Sequence, residues 1–355
     1  MSGNPDDAID APPPLAGHGR SAAGPGRRAV LDAIVGAGDK GEAIRLLEQL
    51  TALAPEWVAA AATFRKLSNA WHFPMMRDAA RNQAYAAALG KAIAPGAHVL
   101  EIGAGSGLLA MMAARAGAAR VTTCEKVVAM AEAAAEIVRR NGLDGVVRVV
   151  PKASHELRVG ADLPEPADVL LAEIIGDELL DEQILQATLD ARRRLLKPNA
   201  RLIPARIASM AALAGGEALE QLTSVGDVSG FDLSPFNRFG GGKLNLFPAV
   251  PAFVLLSAKR VAFRFTLSDD QFRPAEKTLE FPAIADGRCV GVLQWVRVEL
   301  DDDFAVENVP AAGFVASGWW PILHPFAAPT TVAAGQAVRV RAAHDLTSQA
   351  FRLLD

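Results

Sequence analysis

The 355-residue chain predicts an α/β domain built on a parallel sheet, followed by an all-β domain and preceded by a short helical cap. Two observations carry this. From about residue 80 the runs HVLEI, RVTTCE, VVRVV and DVLLAEI alternate with Ala-rich stretches such as LLAMMAARAG and MAEAAAEIVRRNG. That alternation is the pattern of a parallel sheet with helices on both faces. After Pro204 the texture changes. AFVLLSAKRVAFRFTL, CVGVLQWVRVEL and AVRVRAAHD alternate with period two between turn signals, as antiparallel strands of a sandwich or barrel do.

The N-terminal part divides in two. Residues 1–27 are rich in Pro, Gly, Ser and Ala, hold almost nothing to pack and read as a disordered tail. Residues 28–68 read as a helical cap, with Leu46, Leu47, Leu50 and Leu53 on one face and Pro55 ending a helix. GEAIRLLEQLTALAPEW resembles part of one tetratricopeptide repeat; such repeats are stable only in arrays, so this piece is expected to pack on its neighbour. The α/β domain then takes residues 69–204 and the β domain residues 205–355.

The bulk numbers exclude several classes. A hydrophobic fraction of 51%, a charged fraction of 21% and a net charge of −4 describe a globular protein without the basic stripe of a nucleic-acid binder. Cys124 and Cys289 give no disulfide framework, which fits a reducing compartment. The six histidines are scattered, so no metal site is expected. MSGNPDDAID is not a secretory signal. No apolar run approaches the roughly 18 residues of a membrane helix. A cytoplasmic protein is expected.

The chemistry begins after HVLEI. Gly103, Gly105 and Gly107 follow the strand, and a helix should open at about Leu108. Glycines there let the chain turn sharply and let a ligand approach bare peptide groups. A dinucleotide loop would carry a third glycine where this chain has Leu108, which counts against a pyrophosphate ligand. Glu125 ends the next strand, where an acid accepts both ribose hydroxyls. A ribose without pyrophosphate suggests S-adenosylmethionine. The plainer alternative is a Gly-rich turn with Glu125 a solvated strand end.

Behind ADVLL comes AEIIGDELLDEQ, five carboxylates in twelve residues. Asp177, Glu178 and Asp181 are expected in the first turns of a helix, where acids complement the dipole. Glu173, at the mouth of the sheet, fits that role poorly. On one helix Glu173 and Glu182 would face opposite ways; a loop at Gly176-Asp177 would let them meet. Paired carboxylates beside a sulfonium donor suit a guanidinium, which is planar, permanently charged and satisfied by bidentate acceptors.

From about residue 70 onward the sequence resembles the protein arginine methyltransferases. HVLEIGAGSG, which includes Glu101, is similar to their first motif, CEK carries their ribose acid as Glu125, and EIIGDELLDE holds both acids of their double-glutamate loop. HFPMMRDAARNQAY resembles the stretch in which an Arg clamps the cofactor carboxylate; the matching residues are His72, Met75, Asp78, Arg81 and Tyr85. Read alone, Arg81 and Tyr85 would stack at i,i+4 on a helix, and a lone Arg there would more often face solvent. PKASHEL, with Ser154 and His155, matches the adenine-contacting segment. SGFDLSPF (229–236) resembles the start of the family's dimerisation region, and LQWVRVELDDD a strand of its β-barrel.

The resemblance implies a Rossmann-like methyltransferase domain followed by a β-barrel, S-adenosylmethionine as cofactor, an arginine-containing protein or peptide as substrate and a homodimer. It lies closest to the monomethylating branch and its bacterial relatives. The chain departs from the family at its C-terminal Thr-His-Trp loop, which here reads Ser317, Gly318 and Trp319. In relatives the loop histidine pairs with the acid matching Asp78; His324 lies six residues further on. The aromatic pair before the cofactor has only Trp57, Phe64 and Trp71 as candidates. Gly318 leaves open another nucleophile, a different peptide side chain or a small amine. A non-catalytic cofactor-binding scaffold is the third reading.

Overall fold

A computed structural model describes residues 72–246, 251–311 and 318–354. The tail, the helical cap, Trp57, Phe64, Trp71 and Ser317 lie outside these residues.

Two helices open the described chain, α1 (His72–Arg77) and α2 (Ala79–Ala92). Asp78 separates them and caps α2, its side chain accepting a hydrogen bond from the Arg81 backbone N–H at 2.9 Å. The buried stripe of α2 is Arg81, Tyr85, Ala88 and Leu89, the i, i+4, i+7, i+8 spacing of one helical face. Ala84, Ala86 and Ala87 take most of the positions between, beside Asn82 and Gln83, which suits both helix propensity and close packing.

Five parallel strands follow: β1 (His98–Ile102), β2 (Arg120–Cys124), β3 (Val147–Val150), β4 (Ala167–Ala172) and β5 (Leu196–Ile203). Helices α3 (Leu108–Arg115), α4 (Val128–Arg140) and α5 (Ile184–Arg194) connect them. The strand order is β3-β2-β1-β4-β5. The chain moves outward from β1 on one side and returns to β4 on the other, so the order reverses between β1 and β4. That crevice is where open parallel sheets bind ligands. Every residue of β1 is buried, as expected for a central strand covered on both faces.

Strand β6 (Arg206–Gly215) begins the antiparallel half. It pairs with β7 (Arg260–Thr266) on one side and β9 (Gly287–Glu299) on the other, and β9 pairs with β10 (Ile322–Val332). A second sheet joins β8 (Ala275–Pro282), β11 (Ala337–His344) and β12 (Gln349–Leu353). The period-two reading of this half therefore holds, with one addition it does not include: a short helix, α6 (Glu217–Thr223), that turns Leu219 into the core.

One apolar cluster runs through both halves, from Tyr85, Val99 and Leu171 to Ile207, Phe263, Val292, Trp319 and Phe351. The acid loop described below rests on this shared core. Among the described residues no helix is long and apolar enough to cross a membrane.

Candidate active site

Gly103, Gly105 and Gly107 all have positive φ, at 87°, 51° and 76°. Each is there for its own reason. A Cβ on Gly103 would lie 2.6 Å from Ile174 Cγ2, so the loop after β1 and the loop after β4 are in contact only because residue 103 has no side chain. Gly107 caps α3 from the left-handed region. Gly105 has nothing within 4 Å of where a Cβ would stand, which leaves its backbone open to a ligand. The Gly103 and Ala104 N–H groups both donate to the Cys124 carbonyl, at 3.0 and 2.9 Å, tying the loop to the end of β2.

Glu125 closes this arrangement. Its carboxylate accepts from the Gly105 N–H at 3.1 Å and the Val127 N–H at 3.0 Å and is nearly buried. It is not a solvated strand end. Glu101 lies behind the loop, bonded to the Thr123 hydroxyl, and burial pushes its carboxyl up to about 8. Ser154 and His155 form a one-turn 3₁₀ helix after β3, Ser154 half-buried and His155 exposed.

Arg81 is 2% exposed and points at the crevice rather than at solvent. Its Nη2 donates to Glu173 at 2.7 Å and its Nη1 to Asn82 at 3.0 Å. The guanidinium carbon sits 5.0 Å from the Tyr85 ring centre, which is the expected i,i+4 stack. Arg81 Nε and the Tyr85 hydroxyl are buried with no hydrogen-bond partner among the described residues. Two donors without acceptors in a dry place fit a ligand carboxylate. With the open Gly105 backbone and Glu125, the crevice suits a ligand bearing a ribose and an amino-acid end.

The expectation that Asp177, Glu178 and Asp181 open a helix does not hold: α5 starts at Ile184, and all five acids lie in the loop 173–183. Two non-glycine residues, Leu179 and Gln183, take positive φ of 73° and 62° there. Leu179 is fully buried, and that burial offsets its backbone strain. The Asp181 carboxylate lies over Gly176, where a Cβ would overlap it.

This loop is held from the β half. Trp319 Nε1 donates to the Ile175 carbonyl at 2.6 Å, and the Trp320 N–H donates to Asp177 at 2.6 Å. Asn245 also binds Asp177, Lys243 pairs with Glu178, and Gln349 donates to the Glu178 carbonyl at 2.8 Å. Asp177 and Glu178 thus serve as fasteners, which motif spacing does not reveal. Trp319 was expected at the site; Trp320, Asn245, Lys243 and Gln349 were not. A buried glutamine such as Gln349 in an alternating strand was the one signal available.

The fastened loop sets Glu173 and Glu182 in each other's field. Burial raises the Glu173 carboxyl, with Arg81 opposing. Glu182 is exposed at the mouth of the crevice, with protein close around its base. Burial first, then Glu173 and Asp181, push it up to about 7. Asp181 rises to about 6 for similar reasons. A second cation in the crevice would relieve all three.

The departures from the expected C-terminal loop are resolved in part. Gly318 packs on α1: a Cβ there would lie 2.8 Å from Met75 Cγ. His324 does not take the place of a loop histidine. It turns into the β core, 2.7 Å from Gln294 and edge-on to Phe351, and burial lowers it to about 3. Burial lowers His72, beside Met75 on α1, to about 4. A separate cavity of about 530 Å³, lined by Arg192, Arg193, Lys197 and Arg206, lies between α5 and β6, away from these residues.

A crevice of this kind, on this sheet order, defines a methyltransferase. The family profile of ribosomal protein L11 methyltransferase (PrmA) matches residues 84–209. An arginine N(omega)-methyltransferase of Streptomyces achromogenes subsp. streptozoticus is 34% identical over 276 residues, covering 76% of this chain and 75% of that protein. The chain belongs to the arginine N-methyltransferase family. Protein arginine N-methyltransferase 7 of Drosophila grimshawi is 34% identical over 259 residues, 67% of this chain but only 37% of that longer protein. The Trypanosoma brucei PRMT1 enzyme–prozyme heterotetrameric complex with AdoHcy shares the fold, with a TM-score of 0.66 at 22% identity, covering 76% of this chain and 86% of that one.

Proposed function

We propose that the chain moves a methyl group from S-adenosylmethionine to a guanidino nitrogen of arginine held between Glu173 and Glu182. The observation that carries this is the acid loop: two carboxylates folded together beside the glycine loop, one of them raised to about 7 by burial and by the other. Glu173 is buried against Arg81 while Glu182 faces the crevice mouth, so the pair presents one guarded and one open carboxylate to an incoming cation. A guanidinium is the cation that two fixed carboxylates recognise best.

The roles follow from position. Gly103, Gly105 and Gly107 give the cofactor its backbone cradle, Glu125 takes the ribose hydroxyls, Ser154 flanks the adenine, and Arg81 with Tyr85 takes the carboxylate. Glu101 supports the loop from behind, while Met75 and His72 wall the crevice on the α1 side. When bound, the cofactor supplies an electrophilic methyl carbon on a sulfonium. A guanidinium, with a pKa above about 12, is a poor nucleophile because its lone pairs are delocalised. Glu173 and Glu182 draw the positive charge toward the nitrogens they bind. They leave the remaining nitrogen richer in electron density and aimed at the crevice. Its bond to the methyl forms as the sulfonium–methyl bond breaks to leave the thioether. The proton it sheds leaves by way of the solvent-facing Glu182. Alignment and fixed charge supply most of the acceleration. Asp78 caps α2 and so fixes Arg81; Trp319 fixes Glu173 through Ile175.

The substrate is arginine within a protein or peptide. Free arginine is the second reading, favoured by the bacterial relative whose name specifies arginine without protein. The arm after α6 supports a homodimer: Val228, Phe231, Leu233, Phe236 and Phe239 are all exposed on it, an apolar run that a second copy could cover. A cytoplasmic location rests on Cys124 and Cys289, both buried as free thiols. We assign neither nucleic acid nor membrane as partner.

Transfer of labelled methyl into a cell lysate, followed by acid hydrolysis and amino-acid analysis, tests the reading. Label in methylarginine is expected. Label in another amino acid would move the assignment to a different nucleophile, with Gly318 the first suspect. Cofactor binding without label anywhere would favour a scaffold.

A further inference from the structure

Arg81 touches two sites at once. One edge of its guanidinium, Nη2, binds Glu173 at 2.7 Å, with the two side chains 2% and 8% exposed. Its Nε and the neighbouring Tyr85 hydroxyl are buried without a partner among the described residues. The side chain is not free to swing between tasks. Nη1 is held by Asn82 at 3.0 Å, Asn82 in turn donates to the Met76 carbonyl at 2.9 Å, and the ring of Tyr85 lies under the guanidinium. One fixed cation therefore stands between a carboxylate of the acid pair and the position suited to a cofactor carboxylate.

We propose that Arg81 is a shared counter-ion that couples the cofactor and substrate sites, so that Glu173 competes with the cofactor carboxylate for it. This rests on the assignment of the crevice to S-adenosylmethionine and arginine. The charges fix the sign. Arg81 and Glu173 alone sum to zero, and the cation beside Glu173 repels an incoming guanidinium. A carboxylate at Nε takes up that positive charge, and Glu173 then presents its own charge to the substrate. Arginine binds more tightly after the cofactor than before it. By reciprocity arginine tightens the cofactor by the same factor, and such couplings run from about 5- to 150-fold.

The same logic makes a counter-intuitive statement about Glu173 as a positioning residue for the cofactor. A merely supporting acid would, if removed, loosen the site. Glu173 holds part of Arg81's charge, so Glu173→Gln leaves that charge wholly to the cofactor and strengthens its grip.

The test is calorimetric binding of S-adenosylhomocysteine and of 5′-methylthioadenosine, which lacks the amino-acid end, to the full chain and to its Glu173→Gln variant. The expected result is S-adenosylhomocysteine bound about fivefold or more tightly by the variant, with 5′-methylthioadenosine unchanged. N-acetylarginine amide titrated into the parent should bind more tightly in the presence of S-adenosylhomocysteine than of 5′-methylthioadenosine. Unchanged or weaker S-adenosylhomocysteine binding in a variant of parental thermal stability overturns the shared counter-ion, and so does equal arginine affinity with the two nucleosides. Failure of the parent to bind either nucleoside would instead overturn the cofactor assignment beneath it.

Discussion

The two halves of the crevice are made in opposite ways. The glycine-loop half comes from one short run: β1, the three glycines, β2 and Glu125 all fall within residues 98–125 and bond mainly to one another. The acid-loop half is assembled from afar, with Ile175, Asp177 and Glu178 fastened by Trp319, Trp320, Asn245, Lys243 and Gln349 from the β half. The difference teaches where precision is needed. Binding a nucleoside tolerates a local cradle, whereas holding two like charges together requires constraint from every side, because the loop would open if released.

The comparison breaks most visibly at the acids. Glu173→Gln with Glu182→Gln should cost no more than about tenfold beyond the worse single variant, since one carboxylate alone cannot clamp a guanidinium. Steady-state kinetics of both singles and the double would show this. Strictly additive losses would mean that the acids act independently.

Gly103→Ala strikes the contact between the two loops. The position has φ of 87° and no room beside Ile174. The variant should lose about 1–3 kcal/mol of stability and bind S-adenosylhomocysteine more weakly, read by thermal denaturation and calorimetry. Gly105→Ala, with open space around it, keeps the strain but not the clash and should destabilise less.

Trp319→Phe strikes the acid-loop half through the bond to Ile175. It keeps an aromatic ring but a smaller one, and removes the donor to the Ile175 carbonyl, which costs about 1–3 kcal/mol for the orphaned acceptor, with a further loss for the space left in the core. We expect kcat to fall about tenfold with the S-adenosylhomocysteine Kd unchanged. Equal losses in both would show that the halves are not separable.

The smallest effect is in pH. Glu182 binds its proton up to about 7, against an ordinary value of 4.5. Between these values the folded chain holds more protons than the unfolded one, so this group's contribution to stability falls as pH rises through that window. Glu182→Gln should therefore raise Tm at pH 8 and leave it unchanged near pH 4. Arginine binding runs the other way, because the guanidinium needs the carboxylate ionised: the affinity of N-acetylarginine amide should rise with pH and level off above about 7.

How much of this could be read in the sequence follows the same division. The strand, glycine and Glu125 run is legible because its contacts are local, and the helix indeed opens at Leu108. Arg81 with Tyr85 follows from i,i+4 spacing. The acid loop is legible only as a cluster of charges. Helix-dipole reasoning puts Asp177, Glu178 and Asp181 in a helix, and it fails because the partners of Asp177 and Glu178 lie 65 to 171 residues away, where no local pattern reports them. Gly318 likewise reads as a lost histidine, and only its packing against Met75 shows the space already filled.

The most direct measurement is single-turnover methyl transfer by the Glu182→Gln variant, with S-adenosylhomocysteine affinity measured on the same preparation. Among the described residues Glu182 has no hydrogen bond to the glycine-loop half and meets Glu125 only through its field, so cofactor affinity should stay within about threefold of the parent while the transfer rate falls about 10²–10³-fold. Transfer at the parental rate would contradict the acid pair as the seat of the chemistry.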